Sequence, residues 1–236
     1  MVELTPSNSL WRLLREVDTP TVCNAIEVAQ GKRGFNNFTK GTMLSSDPKY
    51  GAFVGYARTA KISGIAKPIE PPHEIRAIRM KYFNHMAEGT EPKIAVVEDV
   101  DFPNCVSAWW GEVHTAVHKG LGVSGALTNG VMRDLGDLEP GFPVVAGSIG
   151  PSHAFVRATE LASKVNIFNL EIDNGDLIHA DRHGALIIPS DVIAILEKSI
   201  RKLISTEDLI LGPARQPDFT IQKLETAWSE FEKART

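Results

Sequence analysis

The sequence comprises 236 residues, of which 43% are hydrophobic and 23% are charged, a composition typical of a globular protein with a substantial core. Its net charge is -4 and it contains no basic run, which argues against nucleic acid as a partner. No apolar run is long enough to span a bilayer, and the first residues lack the features of a signal peptide, so no membrane partner is expected.

Strand and helix patterns alternate along the chain, and this alternation predicts an α/β fold. A first short helix is capped by Ser7 or Ser9, and Thr19 is the expected N-cap of the second. Further helices are predicted over 20–29, 73–86, from 112, 190–205 and 220–234, and strands over 52–62, 93–97, 123–128, 142–147, 165–172, 177–180 and 185–188. The remaining segments, including 31–51 and 206–219, are expected to be loops, the first with at most one short strand.

The chain offers no low-complexity linker, so we expect one domain over residues 1–205, N-terminal helices included. Residues 206–236 are expected to form a C-terminal helical extension. The two cysteines, Cys23 and Cys105, lie far apart and form no paired motif. They leave a disulfide open but favour a reduced, cytoplasmic protein.

The segment 109–134 carries the residues best suited to bind a small anion. Gly111 precedes a predicted helix and leaves the amides of Val113 and His114 free at its N-terminus, where they favour negative charge. An Asn129-Gly130 turn then delivers two charged residues. Arg133 offers a guanidinium fork for a carboxylate or enolate oxygen, and Asp134 is a hard oxygen ligand for Mg2+ or Mn2+.

Other interpretations of these and nearby residues remain open. Arg133 and Asp134 could form an ordinary surface ion pair. His114 and His118 are four residues apart on one helix face and could share a metal. Asp99, at the end of a predicted strand, is either a loop cap or a polar residue behind the site. Acid-base roles for Asp181 and His183 compete with simple turn chemistry at a hairpin tip.

Two motifs together resemble the RraA-like family. Twenty residues separate Glu112 from Arg133, with Gly111 before the glutamate and Asp134 after the arginine. A second motif, Gly175-Asp-Leu-Ile-His-Ala-Asp-Arg-His-Gly-Ala-Leu-Ile-Ile-Pro189, is similar to the family's Gly-Asp-x-x-x-x-Asp-x-x-Gly hairpin, and residues 19–195 can be laid on the family pattern. Asn129 stands where the family usually has aspartate.

The resemblance implies a swivelling β/β/α fold, assembled as a homotrimer or hexamer with sites between subunits. It also implies a class II pyruvate aldolase, which would cleave a 4-hydroxy-2-oxo acid to pyruvate and an oxo acid and would decarboxylate oxaloacetate. On this hypothesis Asp134 holds Mg2+ or Mn2+, Arg133 stabilises the enolate oxygen and Glu112 positions a water as base. The substrate carboxylate would be bound at Gly111, Glu112, Val113 and His114, largely by backbone amides, with a carboxylate near a neighbouring subunit's C-terminus supporting the metal.

Two alternatives follow from the same resemblance. The family is also named for members that inhibit an RNA-degrading endonuclease, so the chain could be a non-catalytic, protein-binding regulator. It could also be another metal-dependent lyase or hydratase acting on a related oxo acid. A methyltransferase is not supported, because the sequence contains no Gly-rich nucleotide-binding motif.

Overall fold

The computed structural model describes residues 5–235; residues 1–4 of the predicted domain and residue 236 of the predicted extension lie outside the described part. The helices are α1 (Asn8–Glu16), α2 (Thr19–Gln30), α3 (Pro72–Ala87), α4 (Glu112–Gly120), α5 (Ile193–Ala214) and α6 (Ile221–Arg235). The strands are β1 (Leu44–Ser45), β2 (Phe53–Ser63), β3 (Lys93–Asp99), β4 (Ala108–Trp110), β5 (Val123–Thr128), β6 (Val131–Met132), β7 (Val144–Ala146), β8 (Ser148–Ile149), β9 (Arg157–Leu161), β10 (Val165–Ile167), β11 (Leu170–Ile172), β12 (Leu177–Asp181) and β13 (Gly184–Ile187).

A curled mixed sheet forms the centre of the molecule, with strand order β1-β7-β5-β3-β2-β12-β13. The four middle strands β7, β5, β3 and β2 are parallel, and the outer strands β1, β12 and β13 run antiparallel to their neighbours. β12 pairs with the first half of β2 and β9 with its second half. The predicted α/β fold is therefore confirmed.

A second, smaller sheet of three strands is connected to the large sheet. Its strands β4, β6 and β8 are parallel and follow β3, β5 and β7 in the chain, so three of the four parallel strands of the large sheet lead into a strand of the small sheet. The crossings are tight: Gly147 and Ser148 both donate their amides to the carbonyl of Gly130, at 3.0 and 3.1 Å. A Cβ on Gly147 would lie 2.2 Å from the carbonyl oxygen of Asn129, so only glycine fits there.

The helices cover the large sheet by burying apolar faces. Leu10, Leu13 and Leu14 of α1 pack with α2 and α5 in one core cluster. On α3, Tyr82 and Met86 are buried in a second cluster with Trp109 and Trp110 of β4. No helix within residues 5–235 is long and apolar enough to cross a membrane.

Several local predictions are wrong. The N-cap of α2 is Asp18, whose carboxylate accepts from the amide of Thr21, and Thr19 is already helical. The predicted strand over 165–172 is a hairpin, because Phe168 and Asn169 adopt positive φ and turn the chain. The predicted loop over 206–219 begins later, since α5 continues to Ala214 with Pro213 in its last turn, and β9 was not predicted at all.

Candidate active site

The small sheet brings the two halves of the 109–134 segment side by side. β4 ends at Trp110 and β6 ends at Met132, and the amide of Arg133 donates to the carbonyl of Trp110 at 2.8 Å. The residue after β4, Gly111, is the N-cap of α4. Arg133 and Asp134 therefore lie against the N-terminus of α4.

Gly111 allows this close approach because it has no side chain. A Cβ there would lie 2.5 Å from Oδ2 of Asp134 and 3.2 Å from Nε of Arg133. The backbone of Gly111 is extended, with φ -147 and ψ -174, so the requirement for glycine is one of space. Asp134 itself adopts a positive φ of 55, which directs its carboxylate back to the helix.

The carboxylate of Asp134 is the hydrogen-bonding partner of the α4 N-terminus. Its Oδ2 accepts from the amide of Glu112 at 3.2 Å, and its Oδ1 lies 3.2 Å from Nη1 of Arg133. The surface ion pair that the sequence left open therefore exists, with side chains 34% and 28% exposed. Each carboxylate oxygen has two lone pairs, so the carboxylate retains acceptor capacity on its open side.

The remaining groups at this end of α4 are open to a ligand. Within the described part of the chain, no hydrogen bond reaches the amides of Val113 and His114. The side chains of Glu112 and Val113 are exposed, and that of Glu112 has no partner among residues 5–235. Free amides, an arginine and the positive end of a helix dipole together suit a carboxylate.

His118 does not share a metal with His114. Its Nδ1 donates to the carbonyl of His114 at 2.6 Å, and its Nε2 accepts from the hydroxyl of Tyr82 at 2.7 Å. The indole of Trp109 donates in turn to the Tyr82 hydroxyl at 3.2 Å. Burial lowers the pKa of His118 to about 4, in keeping with this neutral, fully bonded ring. This network could not be predicted from the sequence, because its members come from three separate elements, β4, α3 and α4.

The carboxylate of Asp134 suits a hard cation that binds weakly to the protein and keeps most of its waters. No group of three or more His, Cys, Asp or Glu side chains converges within residues 5–235, so a tightly enclosed transition-metal site is not formed by this part of the chain. Mg2+ keeps several waters and binds proteins through one or two carboxylates. Asp134, partly exposed and held in place by the amide of Glu112, fits that mode of binding.

Asp99 is the last residue of β3, and Asn129 directly follows the neighbouring strand β5. The side chain of Asn129 accepts from the amide of Asp99 at 2.7 Å and donates to its carbonyl at 3.1 Å. An aspartate could not make the second bond, which explains the amide at position 129. Asp99 is fully buried, and burial raises the pKa of its carboxyl group; its Oδ1 accepts from the amide of Asp101, as a loop cap would.

Asp181 and His183 belong to the other side of the molecule. Asp181 accepts from the amide of Thr19 at 2.9 Å and from the amide of His183 at 2.7 Å. The interpretation of this pair as turn chemistry is therefore the one that the geometry supports. Both cysteines are free and half-buried.

A curled mixed sheet, three of whose parallel strands lead into a small parallel sheet, defines an α/β protein, and an Arg-Asp pair lies at the N-terminus of one of its helices. A family model described as RraA-like, Aldolase/RraA, matches residues 19–187. The chain belongs to the RraA-like family, which includes both aldolases and inhibitors of RNA-degrading enzymes.

Solved structures agree on the fold. An uncharacterized protein from Pseudomonas syringae pv. tomato is 18% identical with a TM-score of 0.67, and 97% of each chain is covered. RraAS2 from Streptomyces coelicolor, described as an unusual member of the RNase ES inhibitor RraA protein family, is 18% identical with a TM-score of 0.63, covering 98% of this chain and 100% of that one. A structure described among novel cellulases from gut-associated microbes is 19% identical with a TM-score of 0.66, covering 88% and 89%. A search of curated protein sequences gave no match.

Proposed function

We propose that this protein is a divalent-metal-dependent lyase that cleaves a 4-hydroxy-2-oxo acid to pyruvate and a second oxo acid. The observation that carries the proposal is the convergence of Arg133 and Asp134 on an α4 N-terminus whose next amides are free. An ion pair serving stability alone would need no such opening. Family membership adds support, because the family includes aldolases.

The chain's own groups bind and orient the substrate. The free amides of Val113 and His114 would hold its carboxylate at the positive end of α4. Arg133 would direct its guanidinium to the oxygen of the 2-oxo group, where negative charge develops as the bond between C3 and C4 breaks. The exposed carboxylate of Glu112 would order the water that takes the proton from the 4-hydroxyl group.

The implied cation is Mg2+ or Mn2+, and Asp134 would hold it largely through waters. Such a cation, when bound, acts as a Lewis acid that polarises the 2-oxo group of the substrate. The electron pair of the broken bond then goes to the pyruvate enolate, which becomes pyruvate on protonation of C3. Loss of carbon dioxide from oxaloacetate gives the same enolate, so we propose oxaloacetate decarboxylation as a second activity.

We propose that the site lies between subunits of a trimer or hexamer. Large apolar side chains around it are exposed, among them Val113 at 68%, Ile149 at 52% and Leu135 at 47%. A second copy of the chain would cover them and would also bring further carboxylates to Asp134. The C-terminal extension over 206–236 is a candidate for that contribution.

A protein-binding regulator is the second candidate. It is favoured by the match in fold and length to RraAS2, whose description names the RNase ES inhibitor family. Another metal-dependent lyase or hydratase acting on a related oxo acid is the third. The three candidate functions differ in their requirements. The regulator would need neither a metal nor a substrate, whereas the other lyase or hydratase would need a metal and an oxo acid other than the 4-hydroxy-2-oxo acid.

The test measures pyruvate release from oxaloacetate and from 4-hydroxy-4-methyl-2-oxoglutarate, with Mg2+ or with EDTA. Native protein should turn over with Mg2+ only, and Asp134→Ala should reduce the rate by at least about 100-fold, a loss typical of an essential charge at a reacting centre. Asp137→Ala is the matched control, because Asp137 is exposed three residues further on. It should retain activity.

Failure of both substrates with Mg2+ binding intact would favour a different oxo acid. Absence of Mg2+ binding in calorimetry would contradict the lyase proposal altogether. In that case inhibition of an RNA-degrading endonuclease becomes the activity to measure.

A further inference from the structure

Two rings at the start of α4 have a buried nitrogen that the described part of the chain leaves without a hydrogen-bond partner, the indole of Trp110 and the imidazole of His114. The imidazole of His114 packs against Trp109 with ring centroids 4.3 Å apart and against Phe83 of α3 at 5.7 Å. Its Nδ1 is buried and has no hydrogen-bond partner within residues 5–235. Nε2 is not buried in this way and also lacks a partner there, so it faces accessible space.

The burial pattern selects the tautomer. A buried N–H group without an acceptor is rarer in proteins than a buried acceptor without a donor. The proton therefore belongs on Nε2, which leaves a bare lone pair on Nδ1 among the aromatic rings. Burial, followed by the charges of His118, Arg79 and Arg133, lowers the pKa of His114 to about 3, and a neutral ring agrees with the geometry.

The position of His114 directs this donor to the substrate end of α4. His114 is the third helical residue after Gly111, and helical side chains lean toward the helix N-terminus. The contact with Trp109, which precedes the helix, places the ring beside the first turn of α4, and the ring of His118 lies one turn further along with its centroid 5.7 Å away. The same end carries the free amides of Val113 and His114 and the guanidinium of Arg133.

We propose that Nε2–H of His114 is a neutral hydrogen-bond donor to an oxygen of the anionic group bound at the α4 N-terminus. The ring would act as a wall of the site on the side of α3, fixing the orientation of the substrate without adding charge. This role rests on the proposed function, since it assigns a contact to the same oxo acid. It differs from the role of the backbone amide of His114, which any residue except proline could supply.

Binding of oxalate in the presence of Mg2+ tests the proposal, because oxalate is a planar dianion shaped like pyruvate enolate. In calorimetry His114→Phe should weaken oxalate binding by about 10-fold, the loss expected for one hydrogen bond to a charged group. The substitution keeps an aromatic ring and removes the unpaired nitrogen, so folding should survive. His114→Gln, which places an amide near Nε2, should bind oxalate almost as well as the native chain.

Val117→Ala is the matched control. Val117 is partly exposed one turn further along α4, and its truncation should leave oxalate binding unchanged. A second readout is NMR of protein labelled with 15N in its histidine rings. The His114 signals should show a proton on Nε2, and that nitrogen should shift when oxalate is added with Mg2+.

The outcomes separate the two proposals. If native protein binds oxalate and His114→Phe binds it equally well, His114 is only a packing residue and its proposed role is overturned. A proton found on Nδ1 would overturn it as well. If native protein does not bind oxalate with Mg2+, the proposed function is overturned, and the role of His114 is overturned with it.

Discussion

Two helix N-termini in this molecule are built from the same pieces. At α2, Oδ2 of Asp181 accepts from the amide of Thr19 at 2.9 Å. At α4, Oδ2 of Asp134 accepts from the amide of Glu112 at 3.2 Å. In both cases the aspartate lies at or just after the end of a strand and is distant from the helix start in sequence, and its partner is the first amide of the helix.

The two ends differ in what remains unsatisfied. At α2 the N-cap Asp18 accepts from a further amide, and Asp181 is 5% exposed with both oxygens bonded. At α4 the N-cap is Gly111, which makes no side-chain cap, and Asp134 keeps an open side. The first arrangement uses its polar groups to hold the fold, whereas the second leaves the amides of Val113 and His114 without a partner among residues 5–235, which is what the proposed site requires.

The largest effect on stability is expected at the satisfied end. Asp181→Ala would leave the buried amide of Thr19 and the amide of His183 without an acceptor. Loss of a buried charged acceptor should lower the free energy of unfolding by about 3 kcal/mol. Urea denaturation measures this, and Mg2+ and oxalate binding of the folded fraction should be unchanged.

The counterpart is Asp134→Ala, which should lose binding while its urea midpoint stays close to that of native protein. If Asp134→Ala were the less stable of the two variants, the contrast between the helix ends would be wrong. Both carboxylates would then have to be regarded as structural.

The sequence predicted what depends on local pattern and close spacing. β5 was predicted to its end residues, because its apolar run is bounded by the glycine before it and by Asn129-Gly130 after it. The grouping of Gly111 with Arg133 and Asp134 in one site was expected from the resemblance to the RraA-like family, whose motif these residues match. The hairpin turn at Phe168–Asn169 was missed because its local signal is short: the side chain of Asn166 accepts from the amide of Asn169 at 3.0 Å, and asparagine tolerates the positive φ, but both asparagines stand within an otherwise apolar run.

The full length of α5 and the hydrogen bonding of His118 could not be predicted from the neighbouring residues either, because each depends on a contact with a distant element. Pro213 is a helix breaker, but in the last turn it interrupts little, and α6 packs along this part of α5. A pair of histidines at helical spacing resembles a metal site until Tyr82, from another helix, is found bonded to His118. Neither the packing of α6 on α5 nor the hydrogen bond between Tyr82 and His118 can be recognised from the residues next to Pro213 or His118.

A substitution at Gly111 should have an intermediate effect, because the carboxylate of Asp134 can approach the N-terminus of α4 only when residue 111 has no side chain. Gly111→Ala would place a methyl group 2.5 Å from Oδ2 of Asp134, so the carboxylate must move away from α4. We expect Mg2+-dependent oxalate binding to weaken by about 10-fold, as for the loss of one charge-assisted contact, with little change in the urea midpoint. Gly120→Ala in the same helix is the control, because a Cβ there meets nothing within 4 Å.

Gly120→Ala should bind oxalate normally and should stabilise the helix slightly, by at most about 1 kcal/mol. Normal binding in Gly111→Ala as well would show that the close approach of Asp134 to the helix is not needed by the site. The N-terminus of α4 would then differ from that of α2 only in the solvent exposure of its aspartate.

The smallest expected effect is a change in the free energy of unfolding at acid pH. Burial alone would raise the pKa of Asp181, but hydrogen bonds from Thr19 and His183 together hold it below its usual value. A carboxyl group with a lowered pKa in the folded state contributes stability above its unfolded pKa of about 4, and this contribution is lost as pH falls through the folded pKa. The free energy of unfolding of native protein should therefore approach that of Asp181→Asn below about pH 4. Urea titrations of both proteins between neutral and acid pH measure the difference. A gap independent of pH would mean that Asp181 contributes by shape and hydrogen bonding alone, without its charge.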